Sequence, residues 1–264
     1  MSQNNITTVV LAGGTGSRLK NLTSVVNKSL LPLGDRLLLS YILEFALSVS
    51  DKTLIITNND QLSNMAIAIE KDDKIDHKKV YYATQDYPYG IADAIKSAEE
   101  FTNRGPILVI LGDNIYSNND LQSIRTQCEL FNKHNKTNYV QRLLNRHKHS
   151  HVWLYPHDHP ERYGVISFND NKPIEIEEKP TNPNSNLIIS GIYLFDESIW
   201  DILPTLQPSD RGEYEITDIL RIYMHSNDLK CHIMAGEFMD IGESVQSYWN
   251  VADKFLQKKC EIND

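Results

Sequence analysis

The sequence predicts an α/β protein built on a mostly parallel sheet with helices on both faces, followed by a β-rich lobe. Three observations carry this expectation. Through the first half, short runs rich in β-branched residues alternate with amphipathic helical patterns. Glycine- and aspartate-bearing segments follow two of those runs directly, where ligands of parallel sheets bind. The second half changes to closely spaced strand patterns separated by turns.

The elements follow in order. Ile6–Leu11 reads as the first strand and runs into Ala12-Gly13-Gly14. Leu38–Ser48 has helical spacing, Thr53–Thr57 is a short buried-type strand, and Gln61–Glu70 is helical. Val80–Ala83 is a strand, Ile91–Phe101 a helix, and Ile107–Leu111 an apolar strand. Ser117–Ser150 is polar, with a helical pattern near Leu121–Phe131. Strands are expected at Val152–Tyr155, Val165–Phe168, Ile174–Glu177 and Leu187–Phe195, then a helix at Ile216–Met224. Short strands at His232–Ala235 and Phe238–Ile241 precede a final helix carrying Val245, Tyr248, Trp249, Ala252, Phe255 and Leu256 at helical spacing. Without a repeat or a linker, residues 1–264 read as a single domain, with halves at 1–116 and 117–264.

Composition narrows the class. The chain has 264 residues, 41% of them hydrophobic, which is enough for a sizeable core. No apolar run is long enough to span a bilayer, and the N-terminus lacks the pattern of a secretion signal, so the expectation is a cytoplasmic protein that uses no membrane. Cys128, Cys231 and Cys260 are too far apart for a metal motif or a disulfide framework. A net charge of -9 argues against nucleic acid as a partner but leaves room for a small phosphorylated ligand held by a local group of cations.

The richest motif is Leu11-Ala12-Gly13-Gly14-Thr15-Gly16-Ser17-Arg18-Leu19. Clustered glycines after a strand let backbone N–H groups close on an anion, and Arg18 adds a planar cation suited to phosphate oxygens. It is neither a dinucleotide-binding G-x-G-x-x-G, since Leu19 stands at the last glycine position, nor a P-loop. Its plainer reading is a glycine turn. Lys28 follows in Asn27-Lys28-Ser29, and Asp113 follows a buried strand in Leu111-Gly112-Asp113-Asn114. Asp240 lies among apolar neighbours in Phe238-Met239-Asp240-Ile241-Gly242, where an idle carboxylate is costly to bury. Two such carboxylates suit Mg2+, which takes one or two protein carboxylates and completes its shell with phosphate and water.

In their order these pieces resemble the sugar-1-phosphate nucleotidyltransferases, most closely the glucose-1-phosphate thymidylyltransferases. The segments that match are LAGGTGSRL (11–19), NKSLLPL (27–33), YGIADA (89–94), LGDNIY (111–116), ERYGVISF (161–168), EEKP (177–180), SGIYLFD (190–196), RGEYEITD (211–218) and FMDIGES (238–244). The resemblance implies a Rossmann-like sheet with a sugar-binding lobe. It implies a magnesium-dependent enzyme that uses an NTP, with dTTP expected, and a sugar 1-phosphate, with glucose 1-phosphate expected; a homo-oligomer is compatible with it. It places Gly13, Gly14, Gly16 and Arg18 on the triphosphate, with Lys28 also facing phosphate and Leu11, Ala12 and Asp113 among the nucleotide-binding residues. Gln85 would pair with both a carbonyl and the imino N–H of the base, beside the Gly90 backbone. Asp113 and Asp240 would hold Mg2+. Tyr163, Gly164, Glu178, Ser190, Gly191 and Tyr193 would line the sugar site, and Lys179 and Arg211 would hold the sugar phosphate.

The chain departs from the family pattern at Ser29 and Asp93, where members commonly have Gln, and in a longer polar stretch between Asn119 and Val152. A UTP- or CTP-using enzyme, or a silent nucleotide-sugar-binding paralogue, are the alternative readings. The chain ends soon after its final helix, where longer members carry a regulatory segment, so nucleotide regulation of that kind is not expected. His147, His149 and His151 alternate, with His157 and His159 close behind. The spacing favours a polar loop or exposed edge strand over a zinc site.

Overall fold

The computed structural model describes residues 6–14, 16–135 and 150–260. The chain opens with β1 (Thr7–Leu11), a hairpin of β2 (Pro32–Leu33) and β3 (Arg36–Leu37), α1 (Leu38–Val49), β4 (Thr53–Asn58), α2 (Leu62–Glu70) and β5 (Val80–Gln85). Then come α3 (Ile91–Lys96), α4 (Glu99–Thr102), β6 (Ile107–Leu111), β7 (Asn114–Tyr116) and α5 (Asn118–Asn135). The second half contributes β8 (Ser150–Pro156), β9 (Gly164–Asn169), β10 (Lys172–Glu178), β11 (Leu187–Phe195), α6 (Ile199–Ile202), α7 (Ile216–His225), β12 (Leu229–Ile233), β13 (Phe238–Asp240) and α8 (Val245–Cys260).

Nine strands form one sheet in the order β10-β9-β11-β6-β1-β4-β5, with β8 beside β11 and β12 beside β8. The segment β6-β1-β4-β5 is parallel, as the strand–helix alternation predicts. Strand β11 runs antiparallel to β6, β8 and β9 and so joins strands from the two halves of the chain. Strands β1, β4 and β6 are buried on both faces, because alternate side chains enter different cores, whereas the edge strand β5 leaves Tyr81 exposed. Val10, Ile55, Leu108 and Ile110 pack with α1, α5 and α8. Val9, Leu54, Ile56 and Val109 pack with α3, α6 and α7.

Three departures from the predicted elements have local causes. The expected helix Ile91–Phe101 is two helices. Ser97 and Ala98 donate to carbonyls three residues back rather than four, which tightens the chain and brings Phe101 against Tyr81 at a centroid distance of 4.9 Å. The strand expected at His232–Ala235 lies at Leu229–Ile233, parallel to β8. That pairing covers His151, which is buried with its ring stacked against His232 at 5.0 Å rather than exposed on an edge strand. His147 and His149 lie outside the described residues. No cluster of three or more His, Cys, Asp or Glu suited to a metal occurs among the described residues.

The third departure bears on function. Strand β13 leaves the main sheet and pairs antiparallel with β7, with Asp240 opposite Asn114. The start of α5 sets this position. Ser117 Oγ accepts from the Asp120 N–H at 3.2 Å and donates to Asp120 Oδ2 at 2.6 Å, a local box at the helix N-terminus. Asp120 also accepts from the N–H groups of Ala235 (3.2 Å) and Gly236 (3.0 Å), just before β13. A Cβ at Gly236 would stand 1.9 Å from Ser117 Oγ, so only glycine permits this approach.

Candidate active site

The carboxyl ends of the parallel strands build one wall of a cleft. After β1 the chain is pinned from beneath: Ala12 N donates to Ile56 O at 2.8 Å, and Ala12 O accepts from Asn27 Nδ2 at 2.6 Å. Leu11 and Ala12 are buried, with Leu11 O taken by Gly112 N at 2.8 Å, so their side chains and this carbonyl hold the loop in place. Gly16 has φ 64°, a left-handed conformation that suits glycine, and its carbonyl accepts from Thr23 Oγ1 at 2.7 Å. Arg18 stands on the following 3-10 turn, Ser17–Thr23, and lines the cleft.

The charged centre lies where β6, β7 and β13 meet. A Cβ at Gly242 would lie 2.9 Å from Asp113 Oδ2, 3.1 Å from Asp240 Oδ1 and 3.1 Å from Lys28 Nζ, so three charged ends surround one point. A Cβ at Gly14 would likewise lie 3.2 Å from Lys28 Nζ, so the same ammonium sits over the glycine loop. Lys28 Nζ donates to Asp113 Oδ2. Asp240 Oδ1 accepts from Gly242 N at 2.7 Å, and Asp240 Oδ2 accepts from the Tyr163 hydroxyl at 3.1 Å. Burial, and then the charge of Asp113, push the Asp240 carboxyl up to about 6, against the pull of Lys28, the Gly242 N–H and Tyr163. Burial draws the Lys28 ammonium toward neutrality, but Asp113, with Asp240 behind it, holds it above the ordinary lysine value. Burial and Asp240 hold the Tyr163 phenol well above its usual range, so it remains a donor.

The opposite wall comes from the β-rich half. Tyr163, Gly164, Glu178, Lys179 and Tyr193 line the cleft together with Arg18, Asp113 and Asp240. Lys179 has φ 46°, an uncommon conformation for a residue with a side chain, and donates its N–H to Tyr163 O at 3.0 Å. Glu178 is raised by burial first, with Lys179 pulling it down and Glu215 pushing it up. Gly164 packs so closely that a Cβ would stand 2.8 Å from both Ile189 Cδ1 and Thr217 Cγ2.

Several expected site residues are engaged by other parts of the protein. Ser190 is buried, donates to Trp153 O at 2.8 Å, and gives its carbonyl to Asn114 Nδ2 and the Tyr116 hydroxyl, so its side chain does not line the cleft. Gly191 (φ 87°) serves close packing, since a Cβ would stand 2.7 Å from Asn114 Nδ2. Arg211 is exposed, does not line the cleft, and is ion-paired with Glu215 (2.8 Å), Glu178 (3.3 Å) and Glu213 (3.3 Å). Gln85 does not present both hydrogen-bonding groups: its amide nitrogen is turned to Asp93 at 2.9 Å. Sequence reading missed Arg162, which lines the cleft beside Tyr163 and pairs with Glu243 at 2.6 Å. The signal was present, because Arg162 lies within the ERYGVISF segment.

Residues 7–258 match the nucleotidyl transferase family. The chain belongs to that family. Among curated relatives, this nucleotidyltransferase is similar to a glucose-1-phosphate thymidylyltransferase of Xanthomonas campestris pv. campestris, with 33% identity over 84% of the chain and 70% of the relative. It is also similar to one of Neisseria meningitidis, with 30% identity over 97% of the chain and 84% of the relative. A solved structure from Bacillus anthracis, provisionally described as a glucose-1-phosphate thymidylyltransferase in complex with sucrose, superposes with a TM-score of 0.78 at 33% identity, covering 95% of each chain. A UDP-glucose pyrophosphorylase complexed with UDP-glucose shares the fold, with a TM-score of 0.79 at 23% identity over 96% of this chain and 99% of that one. No helix among the described residues is long and apolar enough to cross a membrane.

Proposed function

We propose that this nucleotidyltransferase transfers the nucleotidyl group of dTTP to glucose 1-phosphate in a Mg2+-dependent reaction, releasing pyrophosphate and forming a nucleotide-sugar. The observation that carries this reading is the meeting of Asp113, Asp240 and Lys28 around Gly242, between the glycine loop and the cleft wall that holds Lys179. The similarity to thymidylyltransferases supports the choice of nucleotide and sugar.

The residues fit a divalent cation. Two carboxylates converge on one point with a single ammonium beside them, and Asp240, raised to about 6 by burial and then by the charge of Asp113, gains from a further cation there. Asp113 and Asp240 would hold the ion; when bound, it supplies charge neutralisation for the reacting phosphates. The remaining work falls to positioning and to fixed charge. A sugar phosphate oxygen is already an anionic nucleophile at neutral pH, so no general base is required. Lys179, Arg162 and Arg18 line the same cleft and offer cations to the two anionic substrates. Lys179 would hold the attacking phosphate, while Arg18 and the glycine-loop N–H groups would take up charge on departing pyrophosphate. Tyr163, kept protonated, orients Asp240.

A panel of NTPs against sugar 1-phosphates, with pyrophosphate release as readout, tests the proposal. The expected maximum is dTTP with glucose 1-phosphate. A maximum with a purine triphosphate, or no release with any pair, would overturn it.

A further inference from the structure

We propose that Asp93 is a positioning residue for base selection. It fixes the Gln85 amide so that an oxygen faces the base, favouring uracil or thymine, which carry a ring N–H, over cytosine, which carries a lone pair at the same ring position. This inference rests on reading the Gln85–Gly90 segment as the base-facing end of the nucleotide site.

Gln85 stands opposite Asn58 at the carboxyl ends of β5 and β4, beside the loop that follows β1. Its Nε2 donates to Asp93 Oδ2 at 2.9 Å and is directed at Gly90 O at 3.4 Å. An amide nitrogen has two hydrogens and a carboxylate offers none, so this arrangement has one sense only. The amide oxygen lies on the other side, 3.7 Å from the point a Gly13 Cβ would occupy. Gln85 is 7% exposed. Turning the amide over would press its oxygen against the Asp93 carboxylate with no donor between them and little water to separate them.

The acceptor itself is braced. Asp93 lies in the first turn of α3, and its other oxygen is 4.0 Å from Lys96 Nζ. Lys96 Nζ sits 4.1 Å from the centroid of the Tyr214 ring. Tyr214 in turn clamps the segment between Gln85 and Asp93: its N–H donates to Tyr89 O at 2.7 Å, and its carbonyl accepts from Ala92 N at 3.2 Å. Gly90, at φ 103°, passes so near that a Cβ would stand 2.6 Å from Tyr214 O. The orientation of Gln85 is therefore set by a rigid neighbour. A neutral amide at position 93, able to donate or accept, would let Gln85 turn and meet either kind of ring nitrogen.

The test measures UTP, dTTP and CTP with wild type and Asp93→Asn, by binding calorimetry and by kcat/KM with glucose 1-phosphate. Wild type is expected to bind CTP at least about tenfold more weakly than UTP and dTTP. In Asp93→Asn that ratio should narrow by about tenfold, through CTP affinity and KM rather than kcat. Asp93→Ala is the second variant, with the same narrowing expected, should the first fail to fold. Equal CTP and UTP binding in wild type would overturn the proposal. So would variants that weaken all three nucleotides by one common factor, the signature of a merely structural role. Selective binding without turnover would keep this inference and overturn the proposed reaction; turnover without base preference would do the reverse. Binding of none of the three nucleotides would overturn both.

Discussion

At the scale of single residues, charge placement decides what each group can do. Asp113 and Asp240 are far apart in sequence, yet both face Lys28 at one point. If they hold the cation, Asp113→Asn and Asp240→Asn should each lower turnover by on the order of 100-fold or more, with the far-ultraviolet circular dichroism of the folded protein retained. Turnover near the wild-type value in both at saturating Mg2+ would show that the carboxylates serve only to pair Lys28. Lys179 differs from these two because it is partly exposed and lies on the opposite wall. Removing one charge-assisted hydrogen-bonding partner removes about 1.5–3 kcal/mol, or roughly one to two powers of ten. Lys179→Ala should therefore raise KM for the sugar phosphate and lower kcat, while calorimetry finds NTP affinity unchanged. Loss of NTP affinity with normal sugar-phosphate dependence would move Lys179 to the nucleotide half.

At the scale of elements, the site depends on a connection the hydrophobic pattern does not encode. Strand β13 brings Asp240 beside β7, and the turn before it is fastened to the N-terminus of α5 by Asp120. Asp120→Ala removes a helix-cap contact and leaves two backbone N–H groups without their acceptor. Its expected effect is a loss of about 1–3 kcal/mol in urea unfolding, accompanied by a higher Mg2+ concentration for half-maximal activity because β13 is less firmly placed. An unchanged unfolding midpoint would mean that other contacts hold β13. The division of the segment Ile91–Phe101 is a lesson of the same kind. Its apolar residues have continuous helical spacing, but Ala98 is fully buried and Phe101 packs on Tyr81, which the tightened turn at Ser97–Ala98 satisfies.

At the scale of the whole molecule, the β8–β12 pairing closes one end of the sheet over a stack of His151, Trp153 and His232. Burial, with Lys230 adding to it, pushes His232 down from 6.5 to about 4. The sign follows from linkage: the unfolded chain takes up this proton near 6.5, whereas the folded chain resists until about 4, so stability present above 6.5 is lost as pH falls through that window. The loss from this one group is at most about 3 kcal/mol, less solvent screening of a ring that is not wholly enclosed. Urea unfolding of His232→Gln across the same window should show a shallower dependence on pH than wild type. Parallel slopes would mean that His232 gains its proton as readily folded as unfolded.

By itself, the sequence determined the parallel half, most strand positions and the family. These depend on local periodicity and on short motifs whose chemistry is carried by adjacent residues, as in Leu11–Leu19 and Leu111–Tyr116. The tertiary structure decided which charged residues share the cleft. It brought Arg162 to the lining beside Tyr163, paired the exposed Arg211 with Glu178, Glu213 and Glu215, and turned Ser190 inward to the Trp153 carbonyl. It also tied the Gln85 amide to Asp93, eight residues away, across a left-handed glycine and the Tyr214 backbone. The physical reason is packing. A side chain's direction and partners depend on which strand or loop packs beside it, and that packing, whether the partner is near in sequence or far, is not written in the periodicity of the segment itself.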